Sequence, residues 1–162
     1  MTDLIPITPE GYERIREELK KLKTIERPTV IQEIADARAL GDLSENAEYH
    51  AAREKQGFIE ARIADLDSKI TRIKIIEHTQ KGPVDTVIFG AFVKVCDVTD
   101  GAHGTEQRYR IVGDLEADVK NNCISLSSPI ARALINKQVG DVVTVSLPRG
   151  EKEYEILGVS LE

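Results

Sequence analysis

The sequence predicts an α+β chain in two domains: an N-terminal antiparallel α-helical coiled-coil hairpin, then a smaller α+β domain with an antiparallel sheet. Three observations carry that prediction. Ala52, Gln56, Ile59, Ile63, Leu66, Ile70 and Ile73 step by four and three without a break, a heptad seam that needs a partner helix to cover it. After Lys81, Val, Thr, Ser and Gly take over and the apolar residues alternate, as they do in half-buried strands. Between the two patterns, residues 79–83 (Thr-Gln-Lys-Gly-Pro) read as a linker. The expected domains are therefore 1–78 and 84–162.

The first helix starts at Thr8-Pro9, because Thr can cap the free amides and Pro at the first helical position has no amide to lose. Tyr12, Ile15, Leu19 and Leu22 then form one stripe. Pro28 interrupts it and should kink the helix or shift its register. Val30, Ile31, Ile34 and Ala37 resume an apolar face as far as Leu40-Gly41. The nearest cover for the Ala52–Ile73 seam is this first arm, since only Gly41-Asp42-Leu43-Ser44 and a few neighbours separate them. Two arms of about 32 residues, at about 1.5 Å per residue, would make a rod roughly 50 Å long.

In the second part, residues 92–98 and 107–112 are strand-like and flank a loop containing Asp100-Gly101 and Gly104. Residues 122–126 read as a third strand. Pro129 to Ile135 looks like a short helix opened by Ser127 or Ser128 as cap, with Pro129 at its first position. Residues 141–147 and 153–159 complete the sheet around a Pro148-Arg149-Gly150 turn. About 80 residues can hold a modest α+β core.

Composition removes several functional classes. The 162 residues are 31% charged, 41% hydrophobic and 4% aromatic, with no Trp. That is too few aromatics for a stacking platform for single-stranded nucleic acid, and too apolar for disorder throughout. Lys and Arg number 22 against 28 Asp and Glu, a net charge of −6, so the chain as a whole is no duplex-binding polycation. No apolar stretch approaches the roughly 18–20 residues of a membrane helix. Met1 to Glu10 lacks the basic-then-apolar pattern of a signal peptide. Cys96 and Cys123 make no disulfide framework, which favours a reducing cytoplasm, and both are expected as small buried hydrophobes. His50, His78 and His103 show no ligand spacing, and no Ser, Cys or His grouping suggests a nucleophile with its base.

The hairpin turn is the chemically distinctive segment. Asp42, Glu45 and Glu48 gather there, and carboxylates at i and i+3 can converge on a hard cation or a metal-bound water. Two of them cannot hold Mg²⁺ tightly, so a partner would have to supply the remaining ligands. Asp42-x-x-Glu45 is also the pattern of a helix capping box, and on spacing alone that structural role is the weightier one. Arg38 and Arg53 fall about one turn down each arm, either as surface ion-pair partners or as phosphate-steering cations.

The run from Gly41 to Glu54, GDLSENAEYHAARE, resembles the hairpin-tip signature of the Gre family of bacterial transcript cleavage factors. The likeness continues through Val87-Ile88-Phe89-Gly90-Ala91, Tyr109-Arg110-Ile111-Val112-Gly113 and Ser127-Ser128-Pro129-Ile130-Ala131-Arg132, in both halves and in order. The resemblance implies a non-enzymatic factor whose FKBP-like C-terminal domain docks at the mouth of the RNA polymerase secondary channel while the hairpin runs down it. Asp42 and Glu45 match the family's two tip carboxylates, which help hold a second Mg²⁺ shared with the polymerase and orient the attacking water. The implied outcome is hydrolysis of backtracked RNA near its 3′ end, which rescues arrested complexes. Asn46 and Tyr49 match tip positions expected to support the turn by hydrogen bonding and packing. Arg38 and Arg53 would contact the extruded RNA, and Ser127, Ser128 and Pro129 match the docking region.

The implied partners are bacterial RNA polymerase and the nascent RNA 3′ end, with no membrane, no small-molecule substrate and no cofactor of its own. The implied location is the bacterial cytoplasm. Residues 1–78 carry 13 basic and 16 acidic side chains, which favours the less basic of the family's two close paralogue types. A channel-binding inhibitor and a prolyl isomerase are the other classes to weigh. Intact Asp42 and Glu45 argue against the first, and the few aromatics of the second half argue against the other.

Overall fold

The computed structural model describes residues 3–42, 45–101 and 103–161. Leu43 and Ser44, which the sequence places in the hairpin turn, lie outside the described residues. The chain divides into two compact units, Tyr12–Ile73 in one and Leu4–Gly11 with Lys74–Glu162 in the other.

The first unit is the expected helical hairpin. Its first arm runs without a break through α1 (Pro9–Lys21), a π-helical segment (Leu22–Glu26) and α2 (Arg27–Arg38). Its second arm is α3 (Ala47–Ile70). Ile15, Leu19, Leu22, Val30, Ile34 and Ala37 are buried on the first arm, and Ala52, Ile59, Ile63 and Leu66 on the second. From Leu22 to Val30 the step is one residue longer than a heptad, and the π segment absorbs the extra residue. There the Arg27 amide donates to the Leu22 carbonyl, five residues back, just ahead of Pro28, which has no amide to give. The register shift expected at Pro28 is therefore taken up one turn earlier. Ile31 falls on the wrong side of the restored stripe and is 51% exposed, against the sequence expectation.

Charged pairs lace the two arms. Arg62 makes a forked contact to Glu18 (2.7 and 3.0 Å), Arg27 one to Glu60 (2.7 and 2.8 Å), and Lys55 reaches Glu33 at 3.2 Å. Pairs this exposed add little stability, but they specify which residues face each other. The second arm is shorter than expected: α3 has 24 residues, about 36 Å at about 1.5 Å each. Thr71 caps its C-terminus, and Ile73 belongs to β2 (Ile73–Ile75), which pairs with β1 (Ile5–Ile7).

The second unit is a sheet covered by one short helix. Its strands are β3 (Pro83–Val84), β4 (Phe92–Asp97), β5 (Glu106–Val112), β6 (Cys123–Ser125), β7 (Val142–Leu147) and β8 (Gly150–Ser160). The order is β3-β8-β4-β5-β6, with β7 also paired to β8. All pairings are antiparallel except β5–β6, which is parallel. β8 serves β7 with its first half and β4 with its second, and the β4–β8 register slips at Lys94/Val95, a bulge. α4 (Pro129–Leu134) buries Ala131 and Leu134 in the core that Val93, Val95, Ile111, Val145 and Ile156 build from the sheet. Cys96 is buried as expected; Cys123, on short β6, is only half-buried.

α1 begins where Thr8-Pro9 predicts, with the Gly11 amide donating to the Thr8 hydroxyl at 3.1 Å. Thr8 is itself fixed by Glu116, a buried carboxylate that takes the Thr8 amide at 3.1 Å, the Gly113 amide at 2.9 Å and the Thr8 hydroxyl.

Candidate functional site

The hairpin turn is built from the two helix ends inward. α2 stops at Arg38 with Ala39 as its C-cap, and Gly41 takes φ +121°, a conformation that glycine adopts without steric cost. α3 starts at Ala47, and its N-cap is Asn46, whose side-chain oxygen accepts the Tyr49 amide at 3.0 Å. The Asn46 amide group donates to the Ala37 carbonyl at 2.6 Å, tying the start of α3 to the last turn of α2. This corrects the capping-box expectation for Asp42 and Glu45. The cap falls one residue after Glu45, because Asn is as good a cap as Asp and here also donates across the hairpin to the Ala37 carbonyl, which takes the Leu40 amide as well.

Asp42 and Glu45 are exposed and lie outside both helices, on either side of Leu43-Ser44. Glu48 is in the first turn of α3, where a negative charge complements the helix dipole. Tyr49 is half-buried, with the Arg38 guanidinium 5.8 Å from its ring centroid and the His50 ring 5.5 Å away edge-on. Arg53 instead extends along its own helix towards Gln56, at 3.4 Å. The two arginines thus have separate partners, one at the tip and one a turn further on. Between the arms just behind the turn lies a groove of about 530 Å³, floored by Ala37, Leu40, Ala51 and Ala52 and rimmed by Glu48 and Lys55. Ala37 and Ala52 are buried here, and Leu40 is exposed.

Asp42 and Glu45 are hard oxygen donors of the kind Mg²⁺ takes, but Mg²⁺ wants six ligands. Among the described residues no group of three or more His, Cys, Asp or Glu side chains is placed to hold a metal. The donor type suits Mg²⁺, and the two carboxylates by themselves fall short of a full set of ligands.

The other sequence candidates lie on the sheet unit. Ser128, not Ser127, caps α4, accepting the Ala131 amide at 3.2 Å with Pro129 in the first turn. Ser127 is exposed and bonds elsewhere: its hydroxyl donates to Asp114 at 2.9 Å and lies 2.8 Å from that of Ser125. Ser125 donates to the same Asp114 oxygen. Sequence reasoning missed Asp114 and Glu116. Each acts on a partner at least 11 residues away, and neither sits in a periodic pattern. The available signal was their place immediately after the Tyr109–Gly113 block. The Ser125 and Ser127 hydroxyls, with Arg132 nearby, hold the Asp114 carboxyl below the ordinary aspartate value.

Comparisons with known proteins agree across both units. A family model described as transcription elongation factor, N-terminal, matches residues 5–75. A second, transcription elongation factor, GreA/GreB, C-terminal, matches residues 81–161. The chain is 56% identical over 155 residues to transcription elongation factor GreA of Caulobacter vibrioides, covering 96% of each chain. It is 52% identical over 162 residues to that of Thermodesulfovibrio yellowstonii, covering 100% of both. Among solved structures, GreA factor homolog 1 of Thermus thermophilus is 25% identical, covers 96% of this chain and 98% of its own, and has a TM-score of 0.43.

Proposed function

The chain belongs to the GreA/GreB family of bacterial transcription elongation factors, and from that premise we propose that it enters the secondary channel of RNA polymerase and stimulates cleavage of backtracked RNA near its 3′ end. As a GreA-type factor it acts through the polymerase rather than as an enzyme by itself. In this reading residues 1–78 act as the hairpin domain with its acidic tip near 41–48, 79–83 as linker and 84–162 as an FKBP-like docking domain. By packing, residues 4–11 and 74–78 go with the second unit.

The observation that carries the reading is the identity of the α3 cap. Because Asn46 performs that task, the exposure of Asp42 and Glu45 is not explained by helix initiation. Two exposed carboxylates at the end of a hairpin add nothing to its core, and they are what a partial hard-cation site requires. In the complex Asp42 and Glu45 would be this chain's ligands to a Mg²⁺ shared with the polymerase, which supplies an activated water and charge stabilisation when bound. Asn46 keeps the turn closed through its two hydrogen bonds. Arg38, held over Tyr49, offers its guanidinium edge to an RNA phosphate, with Arg53 a further cation along the path. Ser127, Ser128 and Pro129 form the docking loop. Among the described residues no helix is long and apolar enough to cross a membrane, and the location that fits a polymerase factor is the bacterial cytoplasm.

The test is RNA cleavage in a stalled, backtracked elongation complex, comparing the native protein with Asp42→Asn and Glu45→Gln. Each variant is also measured for polymerase binding and helical content. Short 3′ fragments from the native protein, lost in variants that bind and fold normally, support the reading. Binding without cleavage by the native protein makes it a channel inhibitor instead. Normal cleavage by both variants removes the tip carboxylates from the chemistry.

A further inference from the structure

We propose that Asp114 is the positioning residue of the docking loop: its carboxylate gathers the Ser125 and Ser127 hydroxyls and so presents Ser127, Ser128 and Pro129 to the polymerase in one conformation. The inference rests on the docking role given above to those three residues.

The loop is the short passage from the end of β6 at Ser125 to the start of α4 at Pro129. Both ends are fixed by backbone. The Leu126 amide donates to the Val112 carbonyl at 2.8 Å, and the Ser128 amide to the Ser125 carbonyl at 2.9 Å. At its centre Ser127 is exposed, and side chains set its conformation. Its amide donates to the Ser125 hydroxyl oxygen at 3.1 Å, and its own hydroxyl donates to Asp114 Oδ1 at 2.9 Å. Ser125 donates to that same oxygen, so one carboxylate oxygen closes the network. Asp114 follows β5, which is paired with β6, so its anchor is the sheet itself.

Exposed hydroxyl–carboxylate bonds add little to folding, because water replaces them in the unfolded chain. Their effect falls on binding. A loop already in its bound conformation does not pay the ordering cost when it docks. Loss of Asp114 should therefore weaken docking while leaving stability and the tip chemistry nearly unchanged.

The experiment titrates the factor into backtracked elongation complexes and reads both the half-saturating concentration and the saturated cleavage rate. Asp114→Ala is expected to raise the first about five- to tenfold and leave the second unchanged. Asp114→Asn, which keeps an acceptor oxygen for both hydroxyls, should restore most of the loss. Ser125→Ala, which removes one donor to Asp114 together with the acceptor of the Ser127 amide, should shift the half-saturating concentration in the same direction. Thermal unfolding of each variant separates lost folding from lost docking. If Ser127→Ala and Pro129→Ala raise the half-saturating concentration while Asp114→Ala and Ser125→Ala do not, the positioning role is wrong and the docking loop stands. If Asn is as weak as Ala, charge rather than loop order is at work, and the proposal is overturned. If Ser127→Ala and Pro129→Ala also bind normally, the loop does not dock, and the proposal falls with that reading.

Discussion

The Thr8 hydroxyl donates to the carboxylate of Glu116, 108 residues further along the chain, and this bond sets the start of α1. Glu116 also takes the Thr8 and Gly113 amides, so three donors converge on one buried side chain. Gly11 faces the same carboxylate: a Cβ built there would lie 2.0 Å from Glu116 Oε1. In an ordinary helix, Gly→Ala stabilises by about 0.5–1 kcal/mol. Here Gly11→Ala must displace a pinned carboxylate, and it is expected to destabilise by about 2 kcal/mol, from the buried amides left unpaired. In a Glu116→Ala background the obstacle is gone, and Gly11→Ala should become neutral or stabilising. Denaturant melts of the four-protein cycle read the coupling. Additive costs would mean that Gly11 is not there for Glu116.

Gly113 meets a harder obstacle. Its Cβ would lie 2.0 Å from the Pro6 carbonyl oxygen, which is backbone and cannot rotate away. Gly113→Ala should therefore cost more than Gly11→Ala, about 3 kcal/mol or above, and no side-chain deletion should rescue it. Thermal unfolding in the native and Glu116→Ala backgrounds checks this, since rescue by Glu116→Ala would contradict it.

Asn46 has two tasks that a pair of substitutions separates. Asn46→Ala loses both the cap to Tyr49 and the tie to Ala37, and should cost about 1–2 kcal/mol. Asn46→Asp keeps the cap acceptor, loses the donor to Ala37 and sets a carboxylate oxygen against that carbonyl. Amide hydrogen exchange at Tyr49 should quicken in Asn46→Ala and stay close to native in Asn46→Asp. Equal exchange in both variants would shift the weight to the cross-hairpin bond.

Much of this molecule is legible in its sequence, and the failures share a physical cause. The heptad steps of α3, the Thr8-Pro9 start and the Ser128-Pro129 start are local signals, each complete within a turn or two, and the structure carries them out. The eight-residue gap from Leu22 to Val30 is visible too, but the choice between a kink at Pro28 and a π turn before it depends on the fixed phase of the opposite helix. β1 and β2 are three-residue strands whose pairing spans the hairpin, too short for alternation to announce them. At the tip, the sequence offers Asp42-x-x-Glu45 as the cap, and the structure uses Asn46. The Ala37 carbonyl across the hairpin favours Asn46, since its amide side chain both accepts and donates, whereas an ionised carboxylate only accepts. Asp114 and Glu116 are settled by contacts that no spacing rule connects.

The state of the Ser125–Pro129 loop should follow the titration of Asp114. The hydroxyls of Ser125 and Ser127, in that order, depress its carboxyl, and Arg132 adds attraction. A depressed carboxyl contributes stability that is fully present above its unfolded value of about 3.9 and is lost as pH falls through the folded value below it. The loop is therefore in its bonded form throughout the neutral range and should loosen only under stronger acid. Carboxyl carbon resonances followed by NMR from pH 7 downward should place the Asp114 midpoint below about 3.9. Ser125→Ala should move that midpoint upward more than Ser127→Ala does, following the order of their effects. The Ser127 amide resonance should titrate with the same midpoint, because its conformation hangs on the same oxygen. A normal midpoint, or a Ser127 amide indifferent to pH, would leave Asp114 as a bystander on the surface.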